Sequence, residues 1–296
     1  ERQYGRYQTL PMPKRVSVQT EVDLYPDAGR VETRATETLV NRTEEEIGTV
    51  HLVFARDLEV PSMTLEGARL TSQEGAFNYS IFELEPPMQP GDERVLSYET
   101  VVQIGGFEHQ RPNLDLVGNG SYILNERLSP YIGFNPQHLL FDPDVRKEHG
   151  LEPLPELIEP EDYSASARSL FRDPPGFVSF ETTVSTAATQ EAFAPGNLEE
   201  TWLEGDRRYS RYSTETPIVN LFRYVSGVYE AARDQWNDVA IDVRFHPAHD
   251  RNVERMIEGD RGARMRLDKS PWSARKLGLR VVKHSLWIVI AVMTGG

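Results

Sequence analysis

The 296 residues include no cysteine, so disulfides, thiolate metal ligation and thiol nucleophiles are all excluded. Long apolar runs are missing too. The longest, LWIVIAVM (Leu286–Met293), falls well short of the roughly 18–20 residues that span a bilayer as a helix. No H-E-x-x-H or G-x-S-x-G occurs, which removes the signatures of a helical zinc-ligand pair and of a nucleophile elbow. Positive charge is scarce as well. A formal net charge of −14 argues against nucleic acid as a partner, because a binder must place cations along a phosphate backbone. The chain begins at Glu1 with neither Met nor a charged-then-apolar leader, and the expectation is a segment of something longer without a secretion signal of its own.

What is present is enough for a core: 39% apolar residues, with 12 Phe, 12 Tyr and 4 Trp. Residues 1–249 are dominated by period-2 alternation. RVSVQTEVDLY puts Val16, Val18, Val22 and Leu24 on one face, and TVHLVF does the same with Val50, Leu52 and Phe54. VLSYETVVQI aligns Leu96, Tyr98, Val102 and Ile104; FVSFETTVST aligns Val178, Phe180 and Val184. VAIDVRF aligns Val239, Ile241, Val243 and Phe245. One dry face and one wet face predict an all-β fold of antiparallel sheets, a saddle or sandwich. YPDAGR (Tyr25–Arg30) and LEGDRR (Leu203–Arg208) read as hairpin connections, with Gly in the left-handed position. PPMQPGDE (Pro86–Glu93) reads as a turn-rich break.

Two regions break this pattern. Asp142–Asp173 is rich in Pro and acids and reads as a long surface excursion with a short helix near Ser164–Phe171. Beyond Phe245, Asp250 is placed to cap a helix whose Val253, Met256 and Ile257 share one face. After Gly259 the periodicity ends and the charge reverses. Residues 259–296 hold eight Lys/Arg and two acids, net +6, against −20 for the first 258. The expected division is a β-domain over 1–249, the start of a helix over 250–258, and an irregular, poorly ordered basic tail over 259–296.

Candidate chemistry is sparse. His246 and His249 are three apart with Pro247 between, not the i, i+4 spacing of a helical zinc pair, at a point where a helix would at most be beginning. They read as a strand-to-helix junction, and no metal ligand is assigned. The Gly-bearing stretches GGFEHQ (Gly105–Gln110) and GNGSY (Gly118–Tyr122) lack a strand-loop-helix context and read as turns. In SYILNERLSPYIGFNP (Ser121–Pro136) the polar pair Asn125–Glu126 lies among apolar and aromatic residues. An amide and a carboxylate against an apolar wall suit a cationic group such as an amine; surface residues of a demanding loop are the plain alternative. No catalytic residue is assigned.

Several segments together carry a resemblance. ERQYGRYQTLPMPKRVSVQTEVDLYPDAGRVETRATETLVNRT, SPYIGFNP, VRKEHGL, STAATQEAFAPGNL and WNDVAIDVRFHPAHDRNVERMIE, in that order over Glu1–Glu258, resemble a bacterial branch of the aminopeptidase N family of zinc metallopeptidases. In that branch the peptidase-like region often follows an ABC-type permease portion. The resemblance implies an N-terminal β-domain that leans on a thermolysin-like catalytic domain. That partner domain would carry the G-x-M-E-N substrate loop and the H-E-x-x-H…E zinc site, both missing from this sequence. It also implies a role for Asn125 or Glu126 in receiving the free amine of a peptide substrate. Zinc is implied for the intact enzyme and no cofactor for this chain, which alone should hydrolyse nothing. The parent is expected to be membrane-anchored, with this domain on the extracytoplasmic face of the cell membrane and soluble as an isolated segment. The tail beyond Gly259 departs from the family, and a shifted reading frame or truncated gene is the hypothesis it raises. Alternatives are a stand-alone β-sandwich interaction module of a membrane-associated envelope protein, and a carbohydrate-active domain using some of the 46 acids.

Overall fold

The computed structural model describes residues 1–104, 115–154, 176–236, 239–258 and 286–290. The described residues form nineteen strands, numbered here in chain order, and one α-helix longer than a turn in the first half, α1 (Pro143–Glu148). The largest sheet has the order β13 (Asn197–Glu204), β14 (Arg207–Ser213), β11 (Phe177–Ala187), β1 (Lys14–Tyr25), β2 (Arg30–Val40), β7 (Glu93–Gln103) and β4 (Leu58–Leu65). The short β15 (Ile218–Val219) attaches to β11. The alternation read from the sequence places its faces correctly. Val18, Val22 and Leu24 of β1, Leu96, Tyr98 and Val102 of β7, and Val178, Phe180 and Val184 of β11 are buried. Val16 and Ile104, at strand ends, are only half-buried.

All-β architecture holds, but the sheet is mixed rather than purely antiparallel. β1 and β11 pair in parallel, Ser17 opposite Ser179 through Asp23 opposite Ser185. A tight turn cannot join parallel neighbours, and here the whole stretch from β2 to residue 176 serves as the crossover. Elsewhere short turns do the joining. Gly29, between β1 and β2, has φ +59, and a Cβ there would sit 2.1 Å from the Ile104 carbonyl oxygen. Only Gly fits that position. Gly205, with φ +60, turns β13 into β14.

Two smaller sheets cover the apolar face of the large one. The first is β10 (Tyr131–Ile132), β3 (Ile47–Val53), β6 (Tyr79–Met88) and β5 (Ala68–Glu74). The second is β12 (Glu191–Phe193), β16 (Arg223–Gly227), β9 (Gly120–Leu124) and β8 (Leu116–Val117). Leu52, Phe82, Ile123 and Tyr224 of these sheets share one continuous core with Val22, Leu39 and Val184 of the large sheet. GNGSY is the turn of the β8–β9 hairpin, whereas GGFEHQ lies outside the described residues, as does the helix expected near Ser164–Phe171.

β3 departs from simple alternation, because His51 and Val53 on its second face are buried as well. The N-terminal arm covers that face. Tyr4, Val53, Tyr79, Phe134 and Leu139 form a second core, with Tyr7 packed against it. Arg146 of α1 ties the arm down, donating from both terminal nitrogens to the Glu1 carboxylate at 2.8 and 2.9 Å.

β17 (Glu230–Trp236), β18 (Val239–Phe245) and β19 (Leu286–Ile290) make a fourth sheet, with β19 parallel to β18. A strand therefore occurs within the tail for which irregular structure is expected. Ile241, Val243 and Phe245 pack with Val253 in a small core of their own, against which Ile257 rests. Helical structure here begins earlier than the sequence reading has it. A 3₁₀ segment runs Pro247–Asn252 and passes into α-helix over 253–258. Its cap is His246, whose Nδ1 accepts the Ala248 N–H at 3.2 Å, and Asp250 instead sits in the first turn. Pro247 explains the shift: it holds His246 extended, ψ 136, and supplies a ready-made first helical residue.

Candidate functional site

The segment that follows β9 turns sharply. Asn125–Arg127 forms a 3₁₀ turn, the chain passes through β10, and Asn135 caps a second 3₁₀ turn, Pro136–His138, by accepting the Gln137 N–H at 3.0 Å. With the start of β1 and the end of β3, these turns enclose a cleft of about 300 Å³. Glu126, Ser129, Tyr131, Asn135, Gln137 and His138 line it on one side, and Lys14, Arg15 and Phe54 on the other. The volume is at the lower end of the range of small-ligand pockets.

The two residues singled out from the sequence part company here. Asn125 is buried and fully used. Its Nδ2 donates to Asn220 Oδ1 at 2.9 Å, its Oδ1 accepts the Phe222 N–H at 3.0 Å, and its own N–H donates to the Phe222 carbonyl at 2.9 Å. It fastens the turn to the chain entering β16, with both side-chain polar atoms engaged within the fold. Glu126, one residue on, is exposed and lines the cleft.

Beneath Glu126 lies a charged network that the alternation pattern alone does not bring into focus. Glu37 of β2 is 1% exposed, in phase with the buried Val31, Ala35 and Leu39. Arg15 Nε donates to Glu37 Oε2 at 2.6 Å, and Tyr98 Oη donates to Glu37 Oε1 at 2.8 Å. Arg15 also donates to the Pro130 carbonyl at 2.9 Å. Burial acts to lower the Arg15 pKa, but Glu37 foremost, together with Tyr98 and Glu126, outweighs it and raises the pKa, so the guanidinium stays charged. Burial first, and then the Glu37 charge, raise the Tyr98 phenol well above its ordinary range, so it remains a neutral donor. The consequence is a rigid cleft floor in which Arg15 is already neutralised. The signal was available: a glutamate in phase with the apolar residues of a strand.

Among the described residues no group of three or more His, Cys, Asp or Glu is arranged to hold a metal ion. Nor, among them, is any helix long and apolar enough to cross a membrane. Among the described residues the cleft offers the exposed Glu126 carboxylate on a fixed turn, an apolar wall, neutral polar side chains, the His138 imidazole and, on the opposite side, the cation Lys14. The Glu126 carboxylate can hold a small cationic group by charge-assisted hydrogen bonds.

No family model matches the chain. A 44-residue segment is 64% identical to the nitrogen fixation protein FixG of Rhizobium meliloti, covering 15% of this chain and 8% of that protein. Protein RdxA of Cereibacter sphaeroides is 50% identical over 44 residues, 15% of this chain and 9% of that protein. The chain thus spans under a tenth of the curated relatives it matches. Among solved structures, the M1 zinc metallopeptidase of Deinococcus radiodurans is similar over 80% of this chain and 48% of that one, at 14% identity and a TM-score of 0.49. A mutant of it bound to a Tyr-Ser-Ala substrate is similar over 79% of this chain and 47% of that one, again at 14% identity and 0.49. The chain spans about half the length of these solved chains.

Proposed function

We propose that this chain is the non-catalytic N-terminal β-domain of an aminopeptidase-like zinc metallopeptidase. In the intact enzyme it walls one side of the substrate cleft, and Glu126 receives the free amine of the peptide. One observation carries the reading: Glu126 is an exposed carboxylate on a turn locked from below by Asn125, at the mouth of a cleft with a neutralised floor. A carboxylate so placed binds an ammonium by charge-assisted hydrogen bonds, worth about 1.5–3 kcal/mol each. The ordered series of segments over Glu1–Glu258 that resembles the aminopeptidase N family supports the same reading.

In this reading the zinc belongs to the partner catalytic domain. Zinc bound there would activate water for attack on the peptide carbonyl. This chain's part is to orient the amine and exclude water from one wall. Of the two residues read from the sequence, only Glu126 keeps that role, with Asn125 as its support. The division at 249/250, the membrane-anchored parent with an ABC-type permease portion, its extracytoplasmic placement and the frame change near Gly259 belong to the same proposal.

The test uses the parent enzyme. Glu126→Ala should raise KM for aminoacyl-p-nitroanilides about 10-fold or more, equivalent to about 1.4 kcal/mol, and leave hydrolysis of an N-acetylated substrate as slow as before. An unchanged KM would overturn the role of Glu126. A parent reading frame with no H-E-x-x-H segment in any downstream frame would overturn the peptidase assignment itself.

A further inference from the structure

A second cavity, of about 380 Å³, lies on the other side of Asn135 and His138 from the cleft, under the N-terminal arm. Four aromatic rings, of Tyr4, Phe77, Tyr79 and Phe134, contribute to its lining. The Tyr4 and Tyr79 rings stack with centroids 3.9 Å apart and planes 10° from parallel, and Phe77 meets Tyr4 edge-on at 5.9 Å. Phe134, in the same buried cluster as Tyr4 and Tyr79, completes the lining. This wall is anchored from behind, since Tyr79 Oη is 2.8 Å from Nδ1 of the buried His51. Phe77 is 38% exposed, an aromatic ring left partly uncovered beside an aromatic-lined cavity.

The charge around the cavity is unbalanced. Among the described residues its one lining acid, Glu1, is already matched by Arg146, whose guanidinium holds the Glu1 carboxyl below the ordinary carboxylate range. Two lining arginines, Arg2 and Arg56, face no such counter-charge: among the described residues neither is ion-paired. The Asp57 carboxylate next to Arg56 is taken by Arg127. The Arg56 guanidinium lies 5.5 Å from the centroid of the Phe77 ring, which sets a cation beside the exposed aromatic. Arg2 donates to the His149 carbonyl.

We propose that this cavity binds an anionic amphiphile: an apolar or aromatic body against Tyr4, Phe77, Tyr79 and Phe134, with a carboxylate on Arg56. A guanidinium presents a donor fork that fits a carboxylate, and the aromatic lining rewards burial of an apolar body in proportion to its area. A cation is rejected by the same two arginines. The site is distinct from the Glu126 cleft and has the opposite charge preference, so its test is independent of the function proposed above.

Titration calorimetry on the full chain decides the matter. Octanoate and 4-phenylbutyrate probe free acids, and an acetylated tripeptide ending in Phe, beside its C-terminal amide, probes a peptide terminus. Octanol and octylamine are the controls. At least one carboxylate should bind 10-fold or more tightly than its uncharged counterpart, and Arg56→Ala should remove that advantage. Arg56→Glu should turn the preference towards octylamine, and Phe77→Ala should weaken octanoate and octanol alike. Arg56 and Phe77 are surface residues, and an unchanged circular dichroism spectrum verifies that the variants fold. Carboxylates binding no better than octanol, or binding Arg56→Ala as they bind the unmodified chain, would overturn the proposal.

Discussion

Arg15 of β1 and Glu37 of β2 form a 2.6 Å ion pair at the base of the cleft, with the Glu37 side chain 1% exposed and Tyr98 closing its second oxygen. Breaking such a pair from one side leaves a buried charge unmatched, which costs about 3–5 kcal/mol. Glu37→Ala should therefore lower unfolding stability by that amount in urea titrations. Arg15→Met combined with Glu37→Leu should recover most of the loss, because it removes both charges together. A double variant as unstable as Glu37→Ala would show that the pair does more than neutralise itself.

His51 predicts a particular acid sensitivity. Burial lowers its pKa from 6.5 to about 4, so the folded protein holds the ring neutral where the unfolded chain would protonate it. Stability from this residue is complete above about pH 6.5 and declines as the pH falls towards 4. The slope approaches about 1.4 kcal/mol per unit, and about 3–4 kcal/mol is lost in all. His51→Phe should flatten that part of the stability profile between pH 6.5 and 4. A profile identical in the two proteins would mean that His51 is protonated when folded.

Adjacent residues of one turn should separate cleanly. Asn125→Ala removes two buried side-chain hydrogen bonds, to Asn220 and to the Phe222 N–H. It should cost about 2–4 kcal/mol, the unsatisfied partners included. Glu126→Ala removes an exposed side chain and should change stability by less than about 0.5 kcal/mol. Thermal melts of the two variants measure this directly, and a large loss in Glu126→Ala would recast that residue as structural.

At the outer edge of the large sheet, β13 is exposed along nearly its whole length and carries Glu199, Glu200 and Glu204 beside Leu198 and Leu203. An open edge strand is a template for pairing with a second chain, and like charges oppose it. Changing the three glutamates to Thr should produce concentration-dependent association in sedimentation velocity, relieved by restoring Glu200 and Glu204. A variant that stays monomeric would mean that the bulge at Leu198/Glu200 protects the edge by itself.

Much of the fold was legible in the alternation because a strand must hide one face. Most of the residues that the period-2 pattern selects in β1, β7 and β11 are buried, as are Ile241, Val243 and Phe245 of β18. Hairpin glycines were legible for a similarly local reason: Gly29 and Gly205 adopt positive φ that other residues resist. Where the cause was distant, local reading failed. Nothing near β1 announces a parallel neighbour about 160 residues away, and nothing in TVHLVF says that the N-terminal arm will bury its second face. Asn125 and Glu126 look alike as a polar pair; packing against Asn220 and Phe222 takes one and leaves the other in the cleft. By itself, then, the sequence determined strand faces, turns and the exclusion of thiol chemistry, because these depend on side-chain type and nearest neighbours. Which strands meet, which carboxylate stays accessible and which arginines have no ion pair among the described residues were decided only by tertiary structure, since long-range packing alone distributes burial and charge among residues of the same kind.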